Sequence, residues 1–250
     1  MIQVDRLTKS FGPLRAVDGL SFQAPNGMVT GLLGPNGAGK TTTFRIIYGL
    51  LKPDTGTATI DGVDVATNRL AAQRHLGALP DVRGLYPRLT AREHLRYFGH
   101  LHGVPVDRLE QRIEDLARRI GMLDFIDRRT KGFSRGQELK VALARALIHE
   151  PANLILDEPT NGLDVVSSRA VRQLIGELRD AGSCIVLSSH IMAEVTAMCD
   201  RLVFIAHGRT VMEGTIAELR ERTGRTDLED VFVDAVVQAD AESLHRELSS

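Results

Sequence analysis

The chain has 250 residues, enough to bury a sizeable core in one large domain or two small ones. Its 31 Lys and Arg residues against 32 Asp and Glu residues give a formal net charge of −1, so no overall positive field is available to hold a nucleic acid. No apolar run approaches the roughly 18 to 20 residues that cross a bilayer, so we expect a soluble chain that needs a partner to work at a membrane.

Residues 1–80 are predicted to contain short strands and one helix. The stretches MIQVDRL, VDGLSFQA and MVTGLLG are separated by Gly, Pro and Asn turn signals, and the third is apolar, as expected for a buried strand. In TTTFRIIYGLL, Phe44, Ile47 and Leu51 recur at helical spacing. The stretch GTATIDGVDV then predicts a second group of strands.

The pattern becomes helical over 81–150. Thr90 followed by Glu93 is typical of a capping box at a helix start. The stretch VDRLEQRIEDLARRIGM places charges on one face and ends at a glycine, Gly121, which is typical of a helix stop. Its predicted apolar face consists of Leu109, Ile113, Leu116 and Ile120. We therefore expect an inserted helical subdomain.

Strands and helices alternate again after residue 150. The strands are ANLILDEP, CIVLSSH and RLVFIAHG, and helices are predicted over about 165–180 and 191–199. This alternation predicts a largely parallel sheet covered on both faces. Residues 227–236 predict an amphipathic packing helix, and the polar tail beyond Asp240 is expected to fray.

The two cysteines, Cys184 and Cys199, have neither metal-ligand nor disulfide spacing. The first lies in an apolar run and the second lies beside Asp200. We expect both to be buried thiols of a protein from a reducing compartment.

The stretch GPNGAGKTT has the phosphate-loop pattern and lies between an apolar strand and a helix. Its glycines allow backbone N–H groups to point at phosphate oxygens, with the positive end of a helix behind them. Lys40 would add a charge for the β and γ phosphates, and Thr41 would offer a hydroxyl to Mg²⁺. The alternative is a chance glycine-rich turn without a binding role. The predicted nucleotide-binding residues of this loop are Gly34, Pro35, Asn36, Gly37, Ala38, Gly39, Lys40, Thr41 and Thr42.

The stretch NLILDEP supplies two acids at the carboxyl end of an apolar strand, where α/β sheets bind ligands. Phosphoryl transfer needs one carboxylate for the metal and another to orient the attacking water. We assign the metal role to Asp157 and the catalytic water role to Glu158. The alternative is a strand that merely ends in acids.

The stretch FSRGQ precedes an apolar helical segment. The Ser134 hydroxyl, the Gly136 amide and the start of the helix would together form an anion site. An ordinary helix cap is the local alternative.

These motifs, in this order, resemble the ATP-binding subunits of ABC transporters over nearly the whole chain. The resemblance implies an α/β fold: a P-loop NTPase core with a mostly parallel sheet, an antiparallel β subdomain and an inserted helical subdomain. The implied divisions are an ATPase domain over 1–240, its nucleotide-binding core at 1–80 and 151–215, the helical subdomain at 81–150, a C-terminal helical extension at 216–240, and a polar tail at 241–250.

The resemblance also implies further roles. Phe11 lies where the family stacks an aromatic ring on adenine, and His190 lies where it contacts the γ-phosphate. The loop at 161–164 resembles the one that touches a second subunit. Within FSRGQ, the residues Ser134, Gly136 and Gln137 resemble a signature that binds the ATP held by another copy. A homodimer with two shared ATP sites follows from this.

Two departures from the family pattern stand out. Arg135 replaces the usual first glycine of the signature, and Phe133 replaces a leucine, as in ABC-2 type exporters. Asp81 occupies a position where most relatives carry a metal-contacting glutamine. We expect it to ligate Mg²⁺ through water, at the cost of an extra negative charge that weakens nucleotide binding.

The resemblance implies an ATP- and Mg²⁺-dependent ATPase that drives an ABC-2 type exporter. Its partner would be an integral-membrane permease, its location the cytoplasmic face of the cell membrane, and its cargo sodium or a drug, with no nucleic acid bound. One alternative is a soluble ABC-type ATPase acting on a protein or nucleic-acid partner. Another is a degenerate ATP-binding scaffold, suggested by Asp81 and Arg135.

Overall fold

The structure is a computed structural model that describes residues 1–248, with ten strands and nine helices in that range. The strands are β1 (Ile2–Phe11), β2 (Leu14–Ala24), β3 (Met28–Leu33), β4 (Thr55–Ile60), β5 (Val63–Asp64), β6 (Leu76–Leu79), β7 (Asn153–Asp157), β8 (Cys184–Ser188), β9 (Arg201–Ala206) and β10 (Arg209–Thr215). The helices are α1 (Lys40–Ile47), α2 (Arg69–Arg74), α3 (Ala91–Leu101), α4 (Val106–Ile120), α5 (Arg135–Leu147), α6 (Val165–Asp180), α7 (Met192–Met198), α8 (Ile216–Thr223) and α9 (Leu228–Leu248).

The predicted parallel sheet is confirmed. Its strand order is β10, β9, β3, β8, β7, β6, and only β10 runs antiparallel to its neighbour. Strands β3, β8 and β7 are adjacent, so their carboxyl ends open at one edge of the sheet. In parallel sheets this edge is where ligands bind, and the phosphate loop, the acidic pair and His190 all follow these three strands.

A second sheet, of order β2, β1, β4, β5, is antiparallel throughout. Its central strand β1 pairs on both sides, with Ile2 opposite Ala24 and Ile60. All three of these side chains are buried. This sheet is the predicted antiparallel subdomain.

Helices α3, α4 and α5 form the predicted helical subdomain. Thr90 and Glu93 make the expected capping box at the start of α3. The predicted apolar face of α4 is buried, and Gly121 ends the helix with φ 69°, a left-handed conformation that glycine adopts without steric cost. Arg92 of α3 donates to Glu114 of α4 at 2.5 Å and to Asp127 at 2.6 Å, which ties the two helices to the loop that follows.

Two apolar clusters lie on opposite faces of the parallel sheet. Successive residues of β7 alternate between them, with Leu154 and Leu156 in one cluster and Ile155 in the other. Burying one such side chain contributes about 1.5–3 kcal/mol. Cys199 belongs to the first cluster and Cys184 to the second, so both predicted thiols are buried and unpaired.

Some elements differ from the sequence prediction. Strands β6 and β10 and helices α2 and α8 were not predicted individually, and β6 completes the parallel sheet beside β7. The polar tail, expected to fray, instead continues α9 as far as Leu248, because its Ala, Glu, Leu and Arg residues are good helix formers; residues 249–250 lie outside the described range. Over 1–248, the helices are all too short or too polar to cross a membrane.

Candidate active site

The phosphate loop is pressed against neighbouring backbone. Gly34 follows β3, and a Cβ there would lie 2.3 Å from the carbonyl oxygen of Ile205. Gly39, with φ 105°, immediately precedes α1, and its Cβ would lie 2.5 Å from the carbonyl oxygen of Ala16. Only glycine fits at these two positions. The loop therefore curls tightly, as a phosphate cradle requires.

Lys40 folds over this loop. Its Nζ donates to the carbonyl oxygens of Gly34 at 2.5 Å and Pro35 at 3.0 Å. Burial lowers the pKa of the Lys40 ammonium, and the attraction of Glu158 and Asp157 opposes that change. The charges of both predicted acids thus act on Lys40.

The first turn of α1 provides the remaining donors of the cradle. The helix begins without a side-chain cap, so its first amides can serve an anion. Thr41 is exposed in this turn. Its hydroxyl makes no hydrogen bond to any of the described residues, which leaves its oxygen free for a cation.

Asp157 ends β7 and lies opposite Ser188, the last residue of β8. The Ser188 hydroxyl donates to Oδ1 of Asp157 at 2.5 Å. Burial raises the pKa of the Asp157 carboxyl, the Ser188 hydrogen bond opposes this rise, and the charges of Asp81 and Glu158 add to it. A cation near Asp157 would therefore be favourable, since it would offset the cost of a half-buried negative charge.

Glu158 takes a left-handed backbone conformation with φ 51°, which is uncommon for a residue with a side chain. Its amide donates to the carbonyl oxygen and the hydroxyl of Ser188, both at 3.2 Å. Its carboxylate Oε2 lies 2.9 Å from Nδ1 of His190. The strained turn is held by the neighbouring strand, and it directs the carboxylate towards the exposed histidine.

This set of groups fits Mg²⁺ together with a nucleoside triphosphate. Mg²⁺ is usually held by one or two protein oxygens plus phosphate oxygens and water, and Thr41 and Asp157 supply that kind of ligand. Across the described residues, no group of three or more His, Cys, Asp or Glu side chains forms a cage of its own. A metal here would depend on the phosphates for part of its shell.

Asp81 lies in the exposed loop after β6, close enough to raise the pKa of Asp157. Two residues that contact Asp157 were not identified from the sequence. The first is Ser188, which the parallel pairing of the strands ending in LILD and IVLS could have placed beside Asp157. The second is Arg83, whose Nη1 donates to the carbonyl oxygens of Pro80 at 2.6 Å and Asp157 at 3.4 Å.

The signature corner lies at the start of α5. The Ser134 Oγ accepts from the Gln137 amide at 3.2 Å, and the Gln137 side chain accepts from the Ser134 amide at 3.1 Å. The local alternative, a helix cap, is therefore present, and it leaves the proton of the Ser134 hydroxyl available to a ligand. A Cβ on Gly136 would lie 3.0 Å from the carbonyl oxygen of Gly162, which places the corner beside the 161–164 loop.

The structure does not bring every predicted residue together. Among the described contacts, none joins Ser134, Gly136 or Gln137 to the phosphate loop of the same chain. Phe11 is 48% exposed at the end of β1, and Nζ of Lys9 lies 5.9 Å from its ring centroid. These residues remain predictions that need a ligand or a second copy to test them.

Comparison with known proteins places these observations in one family. Residues 17–161 match the family model described as ABC transporter. The ABC transporter ATP-binding protein NatA of Bacillus subtilis is 43% identical over 226 residues, covering 90% of this chain and 92% of that protein. The daunorubicin/doxorubicin resistance ATP-binding protein DrrA of Streptomyces peucetius is 37% identical, covering 97% of this chain and 74% of that protein.

Solved structures share the fold. One described as an ATP binding subunit of an ABC transporter superposes with a TM-score of 0.89 at 30% identity, covering 94% of this chain and 99% of that chain. A dimeric ATP-binding cassette in a post-hydrolysis state with ADP and Pi gives a TM-score of 0.78 at 24% identity, covering 86% of this chain and 99% of that chain. At that identity the second match shows the fold alone.

Proposed function

The chain belongs to the ABC transporter family, and from this membership we propose that it is the ATP-binding and ATP-hydrolysing subunit of an ABC-2 type exporter. One observation carries the proposal. The lysine of the phosphate loop, the acid that ends β7 and the glutamate beside His190 meet where three adjacent strands end. Charges of both signs are thus arranged around a loop whose sequence pattern predicts phosphate binding.

The loop amides and Lys40 would bind the triphosphate, because both are donors with positive character. Thr41 and Asp157 would hold Mg²⁺, with Asp81 acting through water. Bound Mg²⁺ would supply positive charge against the phosphate oxygens. Phe11, exposed at the end of β1, would pack on the adenine.

Glu158 is the group that we assign to the attacking water. Phosphoryl transfer depends mainly on positioning and charge stabilisation, so a carboxylate held in one orientation is what the reaction needs. The strained turn at Glu158 and the contact with His190 restrict that orientation. His190, with 65% of its side chain exposed, is also accessible to a phosphate.

We place a second copy of the chain across the site. The signature residues Ser134, Gly136 and Gln137 do not contact their own phosphate loop among the described contacts, yet they present a hydroxyl proton and a helix N-terminus. ATP would join the loop of one copy to the signature corner of the other. ATP can shift the equilibrium between open and closed dimers only if it binds the closed dimer more tightly. A shift from 1:99 to 99:1 takes a difference in binding free energy of about 5.5 kcal/mol.

A route to a membrane permease starts at the segment that follows Asp81. Arg83 bonds to the end of β7, and Tyr86 lies 6.2 Å from Phe98 of α3, ring to ring, in a stacked arrangement. Tyr97 and Leu101 of the same helix are 44% and 63% exposed. We propose that the permease contacts this surface, at the cytoplasmic face of the membrane, and that the permease selects the cargo, a small cation or a drug.

The test is ATP turnover by the protein reconstituted with its permease in lipid vesicles, with and without Mg²⁺. Glu158→Gln should lower phosphate release by roughly 100-fold or more, since a general base contributes at least that much, and the variant should form a dimer with Mg·ATP. Glu221→Gln changes an exposed glutamate of α8 and should leave turnover unchanged. Absence of Mg²⁺-dependent turnover in the unaltered protein, or full turnover in Glu158→Gln, would refute the proposal.

A further inference from the structure

The site contains one carboxylate more than its phosphate chemistry needs. Burial raises the pKa of Asp157, and the charges of Asp81 and Glu158 raise it further. Burial lowers the pKa of Lys40, and the charges of Glu158 and Asp157 oppose that change. Three carboxylates grouped around the end of β7 would repel a polyphosphate anion before any metal arrives. A second positive charge beside Asp81 would offset this repulsion and favour the binding of a nucleotide.

Arg83 lies in the right place for that charge. Burial lowers the pKa of its guanidinium, and the charges of Asp81 and Asp157 oppose that change. It is half-buried, and Nη1 donates to the carbonyl oxygens of Pro80 at 2.6 Å and Asp157 at 3.4 Å. An arginine stays protonated even where burial disfavours its charge. The guanidinium is thus a fixed cation at the end of β7, with the rest of the 81–90 loop largely exposed.

The contacts of Arg83 leave the carboxylates open. Among the described residues no ion pair within 4 Å joins Arg83 to Asp81 or Asp157; its hydrogen bonds go to backbone carbonyls instead. Oδ1 of Asp157 is used by Ser188, and no described hydrogen bond occupies Oδ2. Arg83 can therefore offset the negative charge of the site without taking the oxygen that a divalent cation would need.

We propose that Arg83 is a positioning residue that compensates the charge of Asp81, so that the phosphate loop can bind a nucleoside triphosphate beside three carboxylates. The proposal rests on the proposed function. It differs from a purely structural role, in which Arg83 only fastens the 80–84 segment to β7. A structural role depends on the carbonyl contacts and is indifferent to the charge at position 81.

A double-mutant cycle separates these roles. The four proteins are the unaltered chain, Arg83→Gln, Asp81→Gln and the double variant, and the measurement is the Kd of a fluorescent ATP analogue in EDTA, where no metal contributes. Arg83→Gln should raise Kd about fivefold or more, as removal of one nearby charge predicts. Asp81→Gln should lower Kd, and the double variant should bind within about twofold of the unaltered chain.

Two matched controls use the same segment. Arg88 is exposed and makes no side-chain hydrogen bond or ion pair with another described residue, so Arg88→Gln should leave Kd unchanged. Arg83→Lys keeps the charge and should retain most of the affinity. Thermal unfolding of each variant checks that it folds; if Arg83→Gln does not fold, Asp81→Gln and Arg83→Lys still test the charge.

An Arg83→Gln loss that Asp81→Gln does not repair, an equal loss in Arg88→Gln, or weaker binding by Asp81→Gln in EDTA would each overturn the inference. Failure of the unaltered chain to bind the analogue at all would instead count against the proposed function. The two failures are therefore distinguishable.

Discussion

His190 Nδ1 lies 2.9 Å from Oε2 of Glu158, although the two residues follow different strands, β8 and β7. The strands are parallel neighbours, so the residues just beyond their carboxyl ends meet at the same edge of the sheet. The imidazole thereby holds a carboxylate whose backbone is already strained. The orientation of Glu158 is fixed from both its backbone and its side chain.

Replacing His190 should slow the chemical step. In His190→Ala the Glu158 carboxylate loses its partner and samples other rotamers, so we expect kcat to fall by roughly tenfold or more while KM for ATP changes little. Steady-state phosphate release with the permease present measures both constants. His75→Ala alters an exposed histidine that immediately precedes β6, and this variant should behave as the unaltered protein does. Equal kcat values for the two variants would remove His190 from the mechanism.

The backbone at Glu158 predicts a conflict between stability and activity. A left-handed conformation costs a residue with a Cβ about 1–2 kcal/mol, and glycine avoids that cost but is more flexible when unfolded. The free energy of unfolding of Glu158→Gly should therefore be about 0.5–1 kcal/mol higher than that of Glu158→Gln. Both variants should be inactive.

Urea denaturation of these two variants gives the comparison. The comparison change Arg169→Gly, at an exposed position within α6, should instead cost about 1 kcal/mol, because glycine weakens a helix interior. If Glu158→Gly proved the less stable of the two Glu158 variants, the turn would not be strained.

Two glycines predict opposite effects of the same substitution. Gly34→Ala would place a Cβ 2.3 Å from the carbonyl oxygen of Ile205, so the loop must shift and ATP-analogue binding should be lost. Gly176 lies in α6, and a Cβ added there would have no neighbouring atom within 4 Å, so Gly176→Ala should stabilise the protein by about 0.5–1 kcal/mol. Calorimetric Tm values and analogue binding, measured on both variants, test the pair. Unchanged binding by Gly34→Ala would show that the loop tolerates the movement.

His94 predicts a loss of stability in acid. It is fully buried, neither ring nitrogen has a described hydrogen-bond partner, and burial lowers its pKa to about 4 from the ordinary histidine value of 6.5. Below about pH 6.5 the unfolded chain takes up a proton that the folded chain refuses. Stability therefore falls as pH drops from about 6.5 to 4, by up to about 1.4 kcal/mol per pH unit.

The variant His94→Phe should lose this part of the pH dependence. Phenylalanine keeps the aromatic contacts with Tyr86 and Phe98 and removes two unpartnered polar atoms, so stability at pH 7 should rise by about 1–2 kcal/mol. Urea unfolding at about pH 7 and about pH 5 gives the difference. Burial also lowers the pKa of His149 to about 4, so a smaller pH effect should remain. An identical pH effect in the variant and the unaltered protein would contradict the assignment.

Local signals in the sequence accounted for much of the fold. The capping box at Thr90, the glycine stop at Gly121 and the apolar face of α4 depend on residues three or four positions apart, and all three are confirmed. Strand β10 was missed because its sequence RTVMEGT is polar and becomes a strand only through pairing with β9. The same holds for β6, which is four residues long and depends on β7.

The residues of the candidate site also divide into those that a local motif predicts and those that only the packing brings together. Lys40, Asp157 and Glu158 were predicted because each belongs to a contiguous motif whose spacing carries the chemistry. Arg83 and Ser188 act on Asp157 from other segments, and their contribution depends on the packing of a loop and a neighbouring strand. For Ser134 and Gln137 the sequence left two roles open, a helix cap and an anion site. The capping box is present, and the same side chains can still bind an anion.

The two buried thiols make the protein convenient for labelling. Burial raises the pKa of Cys199 to about 12 and raises that of Cys184 as well, so almost no thiolate forms near neutral pH. A maleimide dye should leave the native chain untouched and react as it denatures. A cysteine introduced on the surface would then carry the only probe, which permits spectroscopic distances between two assembled copies to be measured without first removing the natural cysteines.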